Sequence, residues 1–350
     1  MAKVEIQVGP HRIVSLMSAE AVDELELEPG VLAVASVKSM RVAGALGVLT
    51  AMLVTLTACG GSGGGTASTS TGPKGPVKVL YAGSLVNLME HSLGPKFEQA
   101  NGDTFQGFSA GSSALATQIK DKVRQGDVFI SASPSVNADL QGPANGDWVP
   151  WYVKFASAPL VIGYNPDSKF ATDLRSKPWY QVITEPGFKL GSTDPAVDPK
   201  GKLAQQALTE GAKIYNDPEL PTAAKQNITV LPETELVGRL ESGQLDAGFL
   251  YSNEAGEQKI QTASLDQVHL AASYTVAVLN MAPDPGPAAD FVQYLVSPEG
   301  QALLKQDGLS VLPLTLYGDL AAVPPALKSV LPTTASAPAT PTTSSAPGGR

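Results

Sequence analysis

The chain has 350 residues, of which 43% are hydrophobic and 16% charged, and its net charge is −9. At about 100–200 residues per domain, this length predicts two folded units with tails. The 24 basic residues form no block, which argues against a nucleic-acid partner, because binding to a phosphate backbone needs clustered Lys and Arg. The single cysteine excludes a disulfide within the chain, so the core must hold by burial alone.

The first 39 residues carry their own pattern of predicted elements. The run "VEIQV" alternates like a strand, "SAEAVDELEL" fits a helix capped by Ser18, and "VLAVASVKS" is again strand-like. Residues 1–39 resemble the second half of the small molybdate-binding Mop (TOBE) module, whose first half is missing here. Two interpretations stay open: a reading frame that includes the end of an upstream molybdate gene, which we favour, or a true fusion.

An uncharged apolar run follows this segment. It is short for a membrane helix, so we interpret residues 40–58 as a signal peptide, with a plain transmembrane anchor as the alternative. The sequence "LTAC" at its end resembles a lipobox, the pattern at which bacterial lipoproteins are cleaved and diacylated. We therefore expect lipidation of Cys59 and attachment to the membrane, followed by a flexible linker over residues 59–76.

From Val77 the sequence alternates strand and helix patterns. The predicted strands include "VKVLYA", "DVFISASP", "ITVLP", "DAGFLY" and "YTVAVLN". Helical patterns lie between them, the first kinked at Pro95 and the last capped by Ser297 and ended by Gly308. Repeated strand–helix–strand units predict an α/β fold with parallel-rich sheets covered on both faces. The tail over residues 332–350 is rich in Pro, Thr, Ser and Ala and is expected to be disordered.

Four turns after predicted strands carry small or hydroxyl residues: "AGSL", "SAGSS", "STDPAVDPKG" and "LPETE". In open parallel sheets the ligand crevice lies beyond the carboxyl ends of the strands, where helix N-termini present free N–H groups. Ser84 and Ser112 are therefore candidate hydroxyl donors to an anion. The alternative is that each serine only caps its own helix.

Together with "DVFISAS", "ETELVGRLESGQLDAGFLYSNEA" and "SPEGQALL", these turns resemble the molybdate/tungstate-binding protein of an ABC importer, which has the type II periplasmic-binding fold. The resemblance runs from about Val77 to Leu331. It implies one lobe from residues 77–157 with 256–331 and a second from residues 158–255, which close over the anion. It also implies that Ser84, Ser112 and Tyr251 contact the oxyanion.

The archaeal-type branch of this family adds two carboxylates that bond to the Mo or W centre. They correspond here to Asp198 in "DPKG" and Glu233 in "PETEL", with Glu235 as the alternative to Glu233. Lys200 stands where that branch often has a cysteine. Carboxylates repel a dianion by several kcal/mol at about 4 Å, so three roles stay open: bonding to the metal, accepting the proton of a phosphate, or capping helices.

We therefore expect an extracytoplasmic, lipid-anchored, monomeric solute-binding protein that captures molybdate or tungstate and delivers it to the permease and ATPase subunits of an ABC importer. The expectation includes no catalytic activity, no cofactor and no nucleic-acid partner. The alternatives are another oxyanion, such as phosphate or sulfate, and a cytoplasmic molybdate buffer or regulator that uses the Mop-like segment. His11, His91 and His269 stand in unrelated contexts and predict neither a metal cluster nor a Ser–His pair.

Overall fold

The computed structural model describes residues 2–8, 11–17 and 74–336, and the chain divides into two compact units at Thr66. In the first unit, β1 (Ala2–Val8) and β2 (His11–Met17) form an antiparallel hairpin. The strand predicted for "VEIQV" is thereby confirmed. The other elements predicted for residues 1–39, the signal peptide, Cys59 and most of the linker lie outside the described residues.

The second unit is an α/β structure built on one large sheet. Its strands are β3 (Pro76–Ala82), β4 (Thr104–Ala110), β5 (Val128–Ser131), β6 (Trp151–Tyr164), β7 (Leu190–Ser192), β8 (Ile228–Val230), β9 (Ala247–Tyr251), β10 (Gln261–Ala263), β11 (Ala271–Val278), β12 (Ser310–Gly318) and β13 (Ala335–Ser336). Its α-helices are α1 (Gly94–Asn101), α2 (Ser112–Lys120), α3 (Pro134–Ala138), α4 (Ala171–Ser176), α5 (Trp179–Val182), α6 (Pro199–Ile214), α7 (Leu220–Asn227), α8 (Glu233–Glu241), α9 (Ser252–Glu257), α10 (Pro285–Val296) and α11 (Pro298–Gln306). A π-helix spans Leu88–Leu93, and 3₁₀ helices span Gly83–Leu85, Pro143–Asn145, Leu320–Ala322 and Pro325–Leu327.

The sheet combines parallel units with antiparallel connections. The main strand order is β4-β3-β5-β11-β6-β9-β7-β8. Strand β3 is parallel to β4 and β5, and β7 is parallel to β8 and β9. Strand β6 is antiparallel to β9, β10, β11 and β12. The predicted α/β class is confirmed, but the sheet is mixed, because β6 and β11 run antiparallel to each other and to their other neighbours.

The long strand β6 is shared between two groups of strands. Residues 151–159 pair with β11 and β12, whereas residues 160–164 pair with β9 and β10. We call the group with β3, β4, β5, β11 and β12 lobe 1, and the group with β7 to β10 lobe 2. By its pairing β10 lies in lobe 2, although its residues fall in the range 256–331 expected for the first lobe.

The end of the described chain differs from the sequence expectation. Residues 335–336 form β13, which pairs in parallel with β12, although the disordered tail was predicted to begin at residue 332. Residues 337–350 lie outside the described residues. The part of the chain that the structure describes contains no helix long and apolar enough to cross a membrane.

The helical segment after β3 buries one apolar face. Its fully buried residues are Leu85, Leu88, Met89, Leu93 and Phe97. The predicted kink at Pro95 takes the form of a π-helical turn, in which the N–H of Gly94 donates to the carbonyl of Met89. Proline has no N–H to continue the α-helical ladder, so the chain widens the turn just before it.

Local signals at helix ends also match the structure. Ser297 caps α11 by accepting the N–H of Gly300, and Gly308 follows that helix at φ +84°. Gly243 ends α8 in the same left-handed conformation, at φ +73°. The side chain of Val123 lies outside the core, because α2 ends at Lys120 and this valine is 75% exposed.

Candidate functional site

The residues predicted to bind a ligand come from both lobes. Ser84 lies in the 3₁₀ helix after β3, and Ser112 is the first residue of α2, so lobe 1 supplies the two hydroxyls. Lobe 2 supplies Asp198 before α6, Glu233 at the start of α8, and Tyr251 at the end of β9. All five residues are at most 9% exposed. Their convergence follows from the sheet, because the carboxyl ends of neighbouring parallel strands meet at one edge.

Each candidate acid of lobe 2 lies against the glycine that precedes a serine of lobe 1. A Cβ atom on Gly83 would clash with the Glu233 carboxyl group, lying 2.9 Å from its Cδ. A Cβ atom on Gly111 would lie 3.1 Å from Oδ2 of Asp198. Glycine at both positions therefore permits the close approach of the two lobes.

The two serines have different hydrogen-bond partners. The Ser84 hydroxyl lies 2.9 Å from the hydroxyl of Tyr274, and its carbonyl accepts from the Asn253 amide at 2.8 Å. The Ser112 hydroxyl accepts from the N–H of Ala132 at 3.1 Å. Since that contact uses an oxygen lone pair, the hydroxyl proton of Ser112 is left to donate elsewhere. The N-cap position of α2 belongs to Gly111, so Ser112 does not take the capping role considered for it.

Asp198 and Tyr251 each hold a buried polar atom with no hydrogen-bond partner among the described residues. Asp198 caps α6 with Oδ1, which accepts the N–H of Lys200 at 2.6 Å, while its Oδ2 is unpartnered. The Tyr251 hydroxyl is unpartnered as well. Buried polar atoms are rarely left in this condition, and such atoms mark a place where a polar ligand fits.

A fully buried lysine lies at the centre of the lobe 2 side. Nζ of Lys200 donates to Oε1 of Glu254 at 2.7 Å and lies 3.1 Å from Oε1 of Glu233. It also lies 5.2 Å from the centre of the Tyr251 ring. A lysine is rarely buried unless it is paired, so the two glutamates account for its position.

Glu254 is a member of the cluster that the sequence did not predict. Besides binding Lys200, it accepts the N–H of Tyr251 at Oε2, at 2.8 Å. A local pattern could have indicated this residue. Glu254 follows the strand end "GFLY" by three residues and lies in the first turn of α9, where a glutamate often accepts a free backbone N–H.

Burial and neighbouring charge change the ionisation of the cluster. Burial, then the charge of Asp198, raises the pKa of Glu233 to about 8, against the opposing effect of Lys200. Burial also raises the pKa of Glu254. Burial lowers the pKa of Lys200, but Glu254, Glu233 and Asp198 together raise it above its ordinary value, so the amine is charged. Burial and the neighbouring charge of Asp198 together favour the protonated form of Glu233.

The remaining residues considered in the sequence, Glu235 and the histidines, do not lie in this cluster. Glu235, the alternative to Glu233, is 42% exposed in its side chain and pairs with Arg239 at 3.2 Å on the outer face of α8. His91 and His269 are exposed, and the side chain of His11 is outside the described part of the structure. Within the described residues, no group of three or more His, Cys, Asp or Glu side chains is arranged to hold a metal ion.

Comparison with known proteins identifies the class. The family model for bacterial extracellular solute-binding proteins matches residues 77–310, and the chain belongs to that family. The TOBE domain model matches residues 1–44. The family comprises transport proteins rather than an enzyme class, and its members act outside the cytoplasm.

The comparisons also confirm the resemblance to molybdate/tungstate-binding proteins. The molybdate/tungstate-binding protein WtpA of Pyrococcus abyssi is 25% identical over 270 residues, covering 62% of this chain and 78% of its own. A solute-binding protein of Petrotoga mobilis is 27% identical over 270 residues, covering 67% of this chain and 83% of its own. The periplasmic molybdate-binding protein of Azotobacter vinelandii aligns in structure with a TM-score of 0.56 at 19% identity, covering 68% of this chain and 99% of its own. The fold is that of a type II periplasmic binding protein.

Proposed function

We propose that the protein captures molybdate or tungstate between its two lobes and delivers the anion to an ABC importer. The observation that carries this proposal is the convergence of two lobe 1 serines with Asp198, Glu233 and Tyr251 of lobe 2, all buried. The unpartnered oxygens of Asp198 and Tyr251 support it, because an oxyanion oxygen accepts the hydroxyl proton of Tyr251 and a Mo or W centre takes a carboxylate oxygen of Asp198 as a ligand.

The lobe 1 side supplies neutral donors. Ser112 lies at the N-terminus of α2, where its free hydroxyl proton, the backbone N–H groups and the positive end of the helix dipole all favour an anion. Ser84 presents its hydroxyl at the end of β3, with the Tyr274 hydroxyl behind it. Donors of this kind bind any oxyanion and do not select the element at its centre.

The acids of lobe 2 distinguish molybdate and tungstate from other oxyanions. Carboxylates close to a dianion repel it, and the single ammonium of Lys200 is already shared by two glutamates. Direct bonds from Asp198 and Glu233 to the central atom convert this repulsion into attraction, and Mo and W can expand their coordination to accept them. Sulfate offers neither that expansion nor a proton for the acids, and phosphate offers only the proton.

The steps after anion capture are those expected of a solute-binding protein of an ABC importer. Closure of the lobes about β6 buries the anion, and recognition of the closed form by the permease and ATPase subunits leads to delivery. A diacyl group on Cys59 holds the protein at the outer face of the cell membrane, with residues 59–76 as the tether. The function requires no bond to be made or broken within the solute beyond coordination, and no cofactor.

Titration calorimetry of the purified full chain tests the proposal with molybdate, tungstate, phosphate and sulfate in separate runs. We expect one anion per chain and tighter binding of molybdate and tungstate than of the other two. Tighter binding of phosphate, or no heat with any of the four, would overturn it.

A further inference from the structure

The two most exposed large apolar side chains of the described residues belong to lobe 1. Val123, after α2, is 75% exposed, and Met281, after β11, is 70% exposed. Residues of both segments line one cavity of about 120 Å³, among them Lys122, Arg124 and Met281. Exposed apolar side chains with a charged rim mark a surface that contacts a membrane or a partner. We call this surface the basal patch, which consists of Lys120, Lys122, Val123, Arg124 and Met281.

The basal patch is positively charged within an acidic protein. Residues 118–126 carry three basic side chains and one acid, whereas the whole chain has a net charge of −9. The guanidinium of Arg124 lies 3.3 Å from the centre of the Phe108 ring, which holds it in place. Asp147, on the adjoining loop, adds one more acid, and the local balance stays positive. Exposed apolar groups next to Lys and Arg are the combination that binds anionic phospholipid headgroups.

The start of β3, which follows the tether, is fixed beside the basal patch. Asp127, immediately after the basic segment, accepts the N–H of Lys78 in β3 at 2.7 Å. Its other oxygen accepts the N–H of Asp284, three residues after Met281, also at 2.7 Å. One buried carboxylate therefore joins the first residues of β3 to both segments of the patch.

The tether is short. Residues 60–73, fourteen in all, separate Cys59 from the described part of lobe 1. A Gly- and Ser-rich segment of that length spans at most about 50 Å when fully extended and about 20 Å on average. A lipid on Cys59 therefore keeps lobe 1 close to the membrane, and the tether enters the lobe on the side of the basal patch.

The basal patch lies at the opposite edge of the sheet from the oxyanion site. Strands β3 and β5 are parallel, and their carboxyl ends lead to Ser84 and Ala132. The patch precedes β5 and follows β11, whose Val278 pairs with Val128 at the start of β5. The seven residues of β3 separate the two edges. A strand of this length spans about 20 Å.

We propose that the basal patch is a contact site for anionic phospholipid headgroups, which orients the tethered protein on the membrane. The inference rests on the proposed attachment of Cys59 to lipid and not on the identity of the bound anion. The basic side chains pair with lipid phosphates, while Val123 and Met281 enter the interfacial layer. Contact at this edge directs the oxyanion site away from the membrane, toward the medium from which the anion is captured. Because two apolar side chains bind weakly, the contact is reversible and leaves the protein free to turn toward the permease.

Tryptophan fluorescence of the full chain on vesicles tests the inference. Cys59, the single thiol, is coupled to a maleimide lipid, so that the tether is retained. The vesicles contain phosphatidylcholine with or without phosphatidylglycerol, and a phospholipid that carries a nitroxide on its headgroup. Trp148 lines the cavity and is partly exposed, whereas Trp151 and Trp179 are each 1% exposed. We expect the nitroxide to quench Trp148 on the vesicles with phosphatidylglycerol, and about 1 M salt to reduce the quenching. Trp148→Phe should remove the quenched signal.

Patch variants and matched controls locate the contact. The double variant Lys120→Gln/Lys122→Gln should lower the ratio of membrane-bound to free lobe about twentyfold, since each basic residue near an anionic surface contributes about a fivefold factor. Met281→Ser should lower the ratio about fivefold. All three side chains are exposed, so these variants should fold normally. Lys213→Gln and Val230→Ser are exposed changes on lobe 2 and should leave the quenching as it is.

Four outcomes would overturn the inference. The first is the absence of quenching on vesicles with phosphatidylglycerol. The second is quenching that does not depend on phosphatidylglycerol, which would exclude recognition of anionic headgroups. The third is equal quenching in the patch variants and the lobe 2 controls, which would put the membrane contact elsewhere. The fourth is a change in Trp148 fluorescence only when the permease is added to the vesicles, which would assign the patch to a protein partner. Because no oxyanion is present and Cys59 is coupled chemically, each outcome is independent of the proposed transport function.

Discussion

Nζ of Lys200 lies 3.1 Å from Oε1 of Glu233, and both side chains are almost completely buried. The same ammonium binds Glu254 at 2.7 Å, so one lysine contacts two acids inside the protein. This arrangement ties the start of α6 to the starts of α8 and α9. It thereby sets the positions of the acids that we propose as ligands.

Replacement of this lysine is expected to destabilise the fold. Lys200→Met leaves Glu254 buried without a counter-charge and removes the donor that faces Glu233. Removing one partner of a buried ion pair costs about 3–5 kcal/mol. Urea unfolding at pH 7 measures the difference. Lys202→Met is the matched control, because Lys202 is exposed on the same helix and should change stability by less than about 0.5 kcal/mol. Equal stability of the two variants would contradict the assigned role.

The serine hydroxyls are expected to contribute to oxyanion affinity. Ser84→Ala or Ser112→Ala should weaken oxyanion binding by about 1.5–3 kcal/mol, roughly tenfold to more than a hundredfold, if each hydroxyl bonds a charged ligand. Calorimetric titration measures this change. Ser297→Ala is the control: it removes the cap of α11, lowers stability by about 1 kcal/mol, and should leave the affinity unchanged. Wild-type affinity in both site variants would count against the proposed site.

The acids are expected to discriminate between oxyanions. Glu233→Gln keeps the size of the side chain but removes a metal ligand, so binding of tungstate should weaken by about a hundredfold or more. Binding of sulfate should not weaken, because the sulfur of sulfate does not take a carboxylate oxygen as a further ligand. The control is Glu235→Gln, because Glu235 lies on the exposed face of α8 and pairs with Arg239. This variant should bind tungstate and sulfate with unchanged affinity. Parallel losses for tungstate and sulfate would show that Glu233 does not bond to the metal.

The stability of the ligand-free protein is expected to fall as the pH rises from about 4.5 to about 8. Glu233 keeps its proton to a pKa of about 8 in the folded protein, while the unfolded chain releases it near 4.5. The folded state therefore holds more protons in this window, and raising the pH favours unfolding. Thermal unfolding between pH 5 and pH 9 measures the slope, which Glu233→Gln should reduce. An unchanged slope in that variant would mean that Glu233 ionises normally.

Close approach of the lobes is expected to require glycine at position 83. In Gly83→Ala the new Cβ atom would clash with the carboxyl group of Glu233, so closure over the anion should be hindered and affinity reduced at least tenfold. Gly238→Ala in α8 is the control, since nothing lies within 4 Å of its Cβ position. Equal affinities of the two variants would show that the lobes do not close at this contact.

The sequence predicted the parts of the site that depend on local signals. Ser84 and Ser112 stand in turns between a strand and a helix, and such turns can be read from hydroxyl, glycine and proline patterns. Asp198 was predicted only from the family resemblance. The ion pairs of Lys200 could not be predicted in this way, because Glu254 is 54 residues distant and its proximity arises from the packing of three helices. Similarly, β6 reads as one apolar run, and nothing local indicates that its two halves pair with different strands.

X-ray absorption at the tungsten edge, on the protein saturated with tungstate, tests the central claim most directly. We predict a shell of six oxygen neighbours in the unmodified protein, four from the oxyanion and one each from Asp198 and Glu233. We also predict a reduced shell in Glu233→Gln. A four-oxygen shell in the unmodified protein, identical to that of free tungstate, would contradict the account.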